Sequence, residues 1–138
     1  MAGAGGADDV ATTARDPGPV RYPRTDVERP LAAFRRLIES RFREHWTVEQ
    51  YADELGMSPA RLNRLCKQLL GKTAKTLPQE RLLLEVKRRL IYTRSNLDEI
   101  AWDLGFRDPA YFSRFFKRAT GSTPGNFRSE NNFDTTEA

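Results

Sequence analysis

Apolar residues in this chain recur at helical spacing, and nowhere do they alternate strictly as in a strand. Leu31, Phe34, Leu37, Ile38 and Phe42 fall on one face of a helix that begins near Pro30, a favourable first-turn residue. Arg35, Arg36, Arg41 and Arg43 cover the rest of its surface, and Trp46 closes it against the next segment of chain. Val48, Tyr51, Ala52 and Leu55 make a second stripe. It opens at Thr47, an N-cap with Gln50 at capping-box spacing, and Gly56 ends it where a left-handed residue is wanted. Ser58 caps a third helix and Pro59 takes its first position; Leu62, Leu65, Cys66 and Leu69 are its expected inward residues. The run LPQERLLLEVKRRLIYT, Leu77 to about Thr93, reads as a connecting helix started by Pro78, with Leu83, Val86, Leu90 and Ile91 on its apolar side.

The pattern then repeats. TVEQYADELGMSPARLNRLCKQLLG and NLDEIAWDLGFRDPAYFSRFFKRATG align with one extra residue in the second turn. Eight positions are identical: Ala52/Ala101, Leu55/Leu104, Gly56/Gly105, Pro59/Pro109, Ala60/Ala110, Arg64/Arg114, Lys67/Lys117 and Gly71/Gly121. Asn96 with Glu99 repeats the capping box, and Phe112, Phe115, Phe116 and Ala119 repeat the inward face. Ser122-Thr123-Pro124 starts a last short helix containing Phe127 and Arg128. Helix, glycine turn, helix, twice over, is the plan of two helix-turn-helix motifs joined by a strut. The expected fold is therefore all-α, with about seven helices. Residues 1–28 are expected to form a disordered lead or interdomain linker, 29–129 the folded domain and 130–138 a flexible tail.

Charge sharpens this picture. Residues 31–128 carry 19 Lys and Arg against 11 Asp and Glu, a net +8, while both ends are mildly acidic. A basic body suits a polyanionic partner. Once the inward face of each repeat's second helix is set, the opposite side is set too, at ~100° per residue. Ala60, Arg64 and Lys67 point away from the core, flanked by Arg61 and Asn63; Ala110, Arg114 and Lys117 do the same, flanked by Tyr111 and Ser113. Arg reads guanine with its bidentate fork, Asn pairs with adenine, and Ala packs on a thymine methyl. Solubility alone does not require the same Ala, Arg and Lys at the same phase twice.

These residues resemble a family. LDEIAWDLGFRDPAYFSRFFKRATGSTPGNFR is similar to the signature of AraC/XylS-type bacterial transcriptional regulators, and the likeness runs from about Leu31 to Arg128. The resemblance implies a seven-helix domain with two helix-turn-helix motifs on a central helix, reading two adjacent major-groove segments. It implies base contacts from Ala60, Arg61, Asn63 and Arg64, and from Ala110, Tyr111, Ser113 and Arg114. Phosphate contacts are expected from Thr47, Lys67, Lys72, Asn96, Lys117 and Arg128. Double-stranded DNA is the expected partner and RNA polymerase a second, with activation the family's usual mode. Such proteins carry an upstream effector-binding or dimerisation domain. The chain therefore reads as an excised, monomeric C-terminal domain with its linker, the alternative being a short stand-alone member.

Other chemistry is poorly supplied. Gly71-Lys72-Thr73 ends like a phosphate-binding loop, but the first glycine of that pattern falls on Cys66, and Gly71 is explained as a helix C-cap. One Cys and one His leave no disulfide and no Cys- or His-based metal site, and the buried phase of Cys66 argues against a reactive thiol. A helical protein-protein adaptor is the remaining alternative. No enzyme activity, cofactor or small-molecule requirement is expected, because the helical core is used up in holding the motifs together. No apolar run approaches the ~20 residues needed to span a bilayer, so the expected location is cytoplasmic, on the nucleoid.

Overall fold

The computed structural model describes residues 28–131. Its seven α-helices are α1 (Glu28–Arg41), α2 (Val48–Glu54), α3 (Pro59–Leu70), α4 (Thr76–Tyr92), α5 (Leu97–Asp103), α6 (Pro109–Thr120) and α7 (Pro124–Glu130), with a 3-10 turn at Phe42–Glu44 after α1. The described residues contain no strand. The expected lead and tail lie outside the described residues except at their inner ends. There α1 and α7 each run one residue past the expected boundaries, to Glu28 and Glu130.

The local chemistry read from the sequence sets the helix limits. Thr47 and Gln50 form a reciprocal capping box, as do Asn96 and Glu99. Ser58 Oγ accepts the Arg61 N–H at 3.1 Å, and Pro59 and Pro109 fill first-turn positions. Asp108 caps α6, accepting the Ala110 N–H at 2.9 Å; this cap sits in the turn that carries the extra residue.

Helix α4 packs principally against α1 and the 3-10 turn on one side and α5 and α7 on the other. The two units meet α4 chiefly through α1, α5 and α7, with α3 and α6 set further out. Leu77, Leu82, Val86 and Leu90 are its buried stripe, so Leu82 takes the place expected of Leu83, which is half-buried like Ile91. Leu69 and Ala119 are corrected as well. Both are exposed, and the last inward positions of α3 and α6 shift to Leu70 and Thr120, one residue nearer the terminal glycines. The stripe of a 3.6-residue helix offers i+7 and i+8 to the core about equally, and here the units close on i+8.

A line of ion pairs runs across the strut. Arg81 donates to both carboxylate oxygens of Glu39 on α1, Nε to Oε1 at 3.0 Å and Nη2 to Oε2 at 2.9 Å. Its Nη1 reaches Glu85 at 3.2 Å, and its guanidinium carbon lies 4.2 Å from the Phe42 ring centre. Glu85 also accepts from Arg89, which reaches Asp103 on α5 at 3.3 Å. Arg81, Glu85 and Arg89 are largely shielded from solvent. The Arg81 hydrogen bond holds the Glu39 carboxyl below its ordinary value. Burial pushes Glu85 up, but hydrogen bonds and charge from Arg81 and Arg89 outweigh that and hold it below its ordinary 4.5. With both carboxyls depressed in the folded state, the unfolded chain binds protons first as the solution is acidified. The network's contribution is complete above the ordinary glutamate value and is lost as pH falls through the lowered folded values. Thermal midpoints should therefore drop steeply below about pH 4.5, and Glu85→Gln should flatten that drop while lowering the midpoint at pH 7.

Candidate nucleic-acid interface

Helices α3 and α6 are each twelve residues long, and position for position they share the same pattern of buried, half-buried and exposed side chains. Ala60, Arg61, Arg64 and Lys67 are exposed on the first, and Ala110, Tyr111, Arg114 and Lys117 on the second. No carboxylate among the described residues pairs with the Arg61, Arg64, Lys67, Arg114 or Lys117 side chains, in contrast to the arginines of α4. The inward positions are filled by Leu62, Leu65 and Cys66, and by Phe112, Phe115 and Phe116, all buried. The three phenylalanines are core, as expected.

Several expected contacts are committed elsewhere. Asn63 Oδ1 accepts the Ala74 backbone N–H at 2.8 Å, tying α3 to the turn that leads into α4. Bidentate adenine pairing uses that same oxygen, which here is engaged within the protein. Arg128 is engaged more completely. Its Nε donates to the Leu90 carbonyl at 3.0 Å and Nη1 to that of Ser95 at 2.7 Å, while Nη2 reaches those of Arg89 and Thr93 at 3.3 and 3.2 Å. The guanidinium thus satisfies carbonyls at and just beyond the C-terminus of α4 and has no bidentate fork left for a phosphate. Lys72 bonds both Glu80 oxygens, at 3.1 and 3.0 Å, but this exposed pair is weak enough to exchange. Thr47 and Asn96 are exposed at the N-termini of α2 and α5, with their side-chain oxygens engaged in the caps. Ser113, half-buried, carries no side-chain bond within the described residues.

The turn before α6 also holds contacts that sequence reading missed. Phe106 is buried, with ring centres 5.7, 5.1 and 5.3 Å from Tyr111, Phe112 and Phe115, and 4.6 Å from His45, which it meets edge-on. The His45 Nε2–H donates to the Leu104 carbonyl at 2.8 Å. Between the two units lies a cleft of about 720 Å³ whose lining includes Trp46, Asn63, Lys75, Leu82, Phe106 and Tyr111.

Cys66 is fully buried, and burial pushes its thiol up, away from the reactive thiolate. No group of His, Cys, Asp and Glu among the described residues could hold a metal, and no described helix is long and apolar enough to cross a membrane.

Two helix-turn-helix units, each exposing an unpaired basic face on its second helix, define a double helix-turn-helix DNA-binding domain. Residues 51–130 match the family model described as a helix-turn-helix domain, and the chain belongs to the AraC/XylS-type transcriptional regulators, as a DNA-binding domain of that family. It is 33% identical over 85 residues to the arabinose operon regulatory protein of Salmonella typhimurium, which covers 62% of this chain and 30% of that protein. It is 32% identical over 99 residues to the bifunctional transcriptional activator/DNA repair enzyme AdaA of Bacillus subtilis, covering 72% and 47% respectively. The chain thus spans less than half the length of these relatives. The C-terminal domain of AraT, a response regulator from Geobacillus stearothermophilus, superposes with a TM-score of 0.73 at 28% identity, over 82% of this chain and 95% of that one. The DNA-binding domain of the global transcriptional factor AdpA, solved in complex with a target DNA, gives 0.65 at 28% identity, over 73% and 91%.

The reassignment of Arg128 has a direct check. Arg128→Ala should cost about 2–4 kcal/mol in denaturant unfolding, because charged hydrogen bonds to backbone carbonyls are lost. It should leave the salt slope of DNA binding unchanged, whereas Lys117→Ala should lower that slope by about one. A reduced slope with unaltered stability would return Arg128 to the phosphates.

Proposed function

We propose that this chain is the DNA-reading part of a transcriptional activator that seats α3 and α6 in two successive major-groove segments of one duplex. The observation that carries the reading is the pair of exposed, unpaired basic faces at matching phase on two helices of equal length. Ala60, Arg61 and Arg64 read one segment, and Ala110, Tyr111, Ser113 and Arg114 the other. Lys67 and Lys117, one turn further on, hold phosphate, with Thr47, Asn96 and Lys72 at the margins of the contact. The chain acts as a monomer, without enzymatic chemistry or a bound small molecule, in the cytoplasm. RNA polymerase is its second partner.

The strut sets the shape of the site. A helix of 17 residues spans about 25 Å, and successive major-groove faces on straight DNA lie about 34 Å apart. Both helices insert only if they splay or the duplex bends towards the protein, at a cost of order 1–6 kcal/mol that phosphate contacts offset. The operator is asymmetric, about two helical turns long, and favours a flexible central step.

Titrating salt against duplex affinity tests the nucleic-acid reading. Neutralising roughly 6–10 phosphates should cost about three decades of affinity or more between about 50 and 200 mM salt, and a flat profile would leave the adaptor reading in its place. Footprinting with a circular-permutation bending assay tests the geometry; an unbent palindrome occupied by two chains would overturn it.

The roles of the two basic positions separate by substitution. Arg64→Ala or Arg114→Ala should cost about 1–3 kcal/mol against the preferred base and relax selectivity in one half of the site only. Lys67→Ala should weaken all sequences alike. Identical specificity changes in Arg64→Ala and Lys67→Ala would refute the assignment.

A further inference from the structure

The turns of the two repeats share their glycine but not their surroundings. A Cβ added at Gly56 meets nothing within 4 Å. One added at Gly105 would collide with the Arg43 carbonyl oxygen and come within 3.0 Å of the His45 ring. Gly105 also has φ +88°, a region that side chains avoid. The second turn is therefore docked on the segment between α1 and α2, while the first turn is open.

His45 is the centre of this contact. It is the single non-glycine residue with positive φ among the described residues, at 56°. That left-handed conformation costs a histidine energy, and the cost persists because the ring is held from both sides. A carbonyl only accepts, so its bond to Leu104 fixes the tautomer with hydrogen on Nε2. Leu104 is the C-cap of α5, where carbonyls lack helical partners. The edge-on contact with Phe106 continues the path, since Phe106 touches Tyr111 and Phe115 on α6. A chain of contacts thus runs from the backbone of the first unit to the recognition helix of the second without passing through α4.

We infer that His45 is a positioning residue that fixes the orientation of the second helix-turn-helix unit relative to the first, and through it the spacing of half-sites the chain accepts. Small units joined by a modest interface move relative to one another by default. The His45–Leu104–Phe106 contact removes that freedom by joining the units at a second point. The consequence for spacing rests on both helices reading DNA, as proposed above; the orienting role does not.

The test uses the full chain with spin labels at Gln68→Cys and Arg118→Cys, exposed and equivalent positions on α3 and α6, with buried Cys66 left in place. Distance distributions are measured by electron-electron double resonance in free protein. His45→Asn keeps a residue that tolerates the left-handed region but cannot reproduce the ring contact. Gly105→Ala breaks the same contact from the other unit, so the result does not depend on one variant folding. Each folded variant should broaden the distribution relative to the parent; a folded variant with a distribution as narrow as the parent's would overturn the inference. In parallel, duplexes with the half-site spacing changed by single base pairs are ranked by affinity. His45→Asn should lower spacing discrimination roughly three- to tenfold, as expected for one hydrogen bond and one ring contact. A parent with a narrow distribution but no spacing preference would refute two-groove reading and leave the orienting role standing.

Discussion

The constraint on which this structure depends is the shortness of its helices. α2, α5 and α7 have seven residues each, well below the ~12–15 at which an isolated helix is even marginal in water. None can exist without something longer to lie against. α4 supplies that support through one apolar stripe, Leu77, Leu82, Val86 and Leu90, and through polar ties at either end. Arg81 binds it to α1 by way of Glu39, and Arg128 binds its C-terminal end to α7. The capping boxes matter for the same reason: in a helix of two turns, satisfying two orphan N–H groups settles whether the first turn forms.

This division of labour explains why arginines of one kind have two fates. Those on and around α4 are spent on carboxylates, carbonyls and the Phe42 ring, half-shielded from solvent. Those on α3 and α6 stand in solvent with no internal partner, and their positive charge is available at full strength to an external polyanion. Net charge does not distinguish the two groups. Helical phase does, because the stripe that buries Leu62 or Phe112 also decides which arginines face outward.

Local chemistry was legible in the sequence and long-range chemistry was not. Thr47, Ser58, Asn96, Thr123 and the prolines after Ser58 and Thr123 announce helix starts because their partners lie within three residues. The internal partners of Asn63 and Arg128 were missed because they lie eleven and more than thirty residues away. Spacing alone presents each as an exposed polar side chain near a basic face. Leu69 and Ala119 failed for a different reason: a periodicity leaves two positions open at the end of a helix, and only the packing around that end chooses between them. His45 gave no usable signal, since a lone histidine before a tryptophan says nothing about a carbonyl 59 residues further on.

The two units are alike outside and unlike inside. Leu62, Leu65 and Cys66 fill one interior, three phenylalanines the other, yet both hold their helices at the same rotation about the axis. Exposed letters and buried scaffold are therefore written independently in this chain. Surface positions such as Arg61 and Arg64 can be exchanged with no repacking beneath them, so under the proposed reading sequence preference is free to drift or to be transplanted from one unit to the other. Tyr111 is the exception: because its ring rests on Phe106, changing that position disturbs the packing of the turn before α6 as well as the surface.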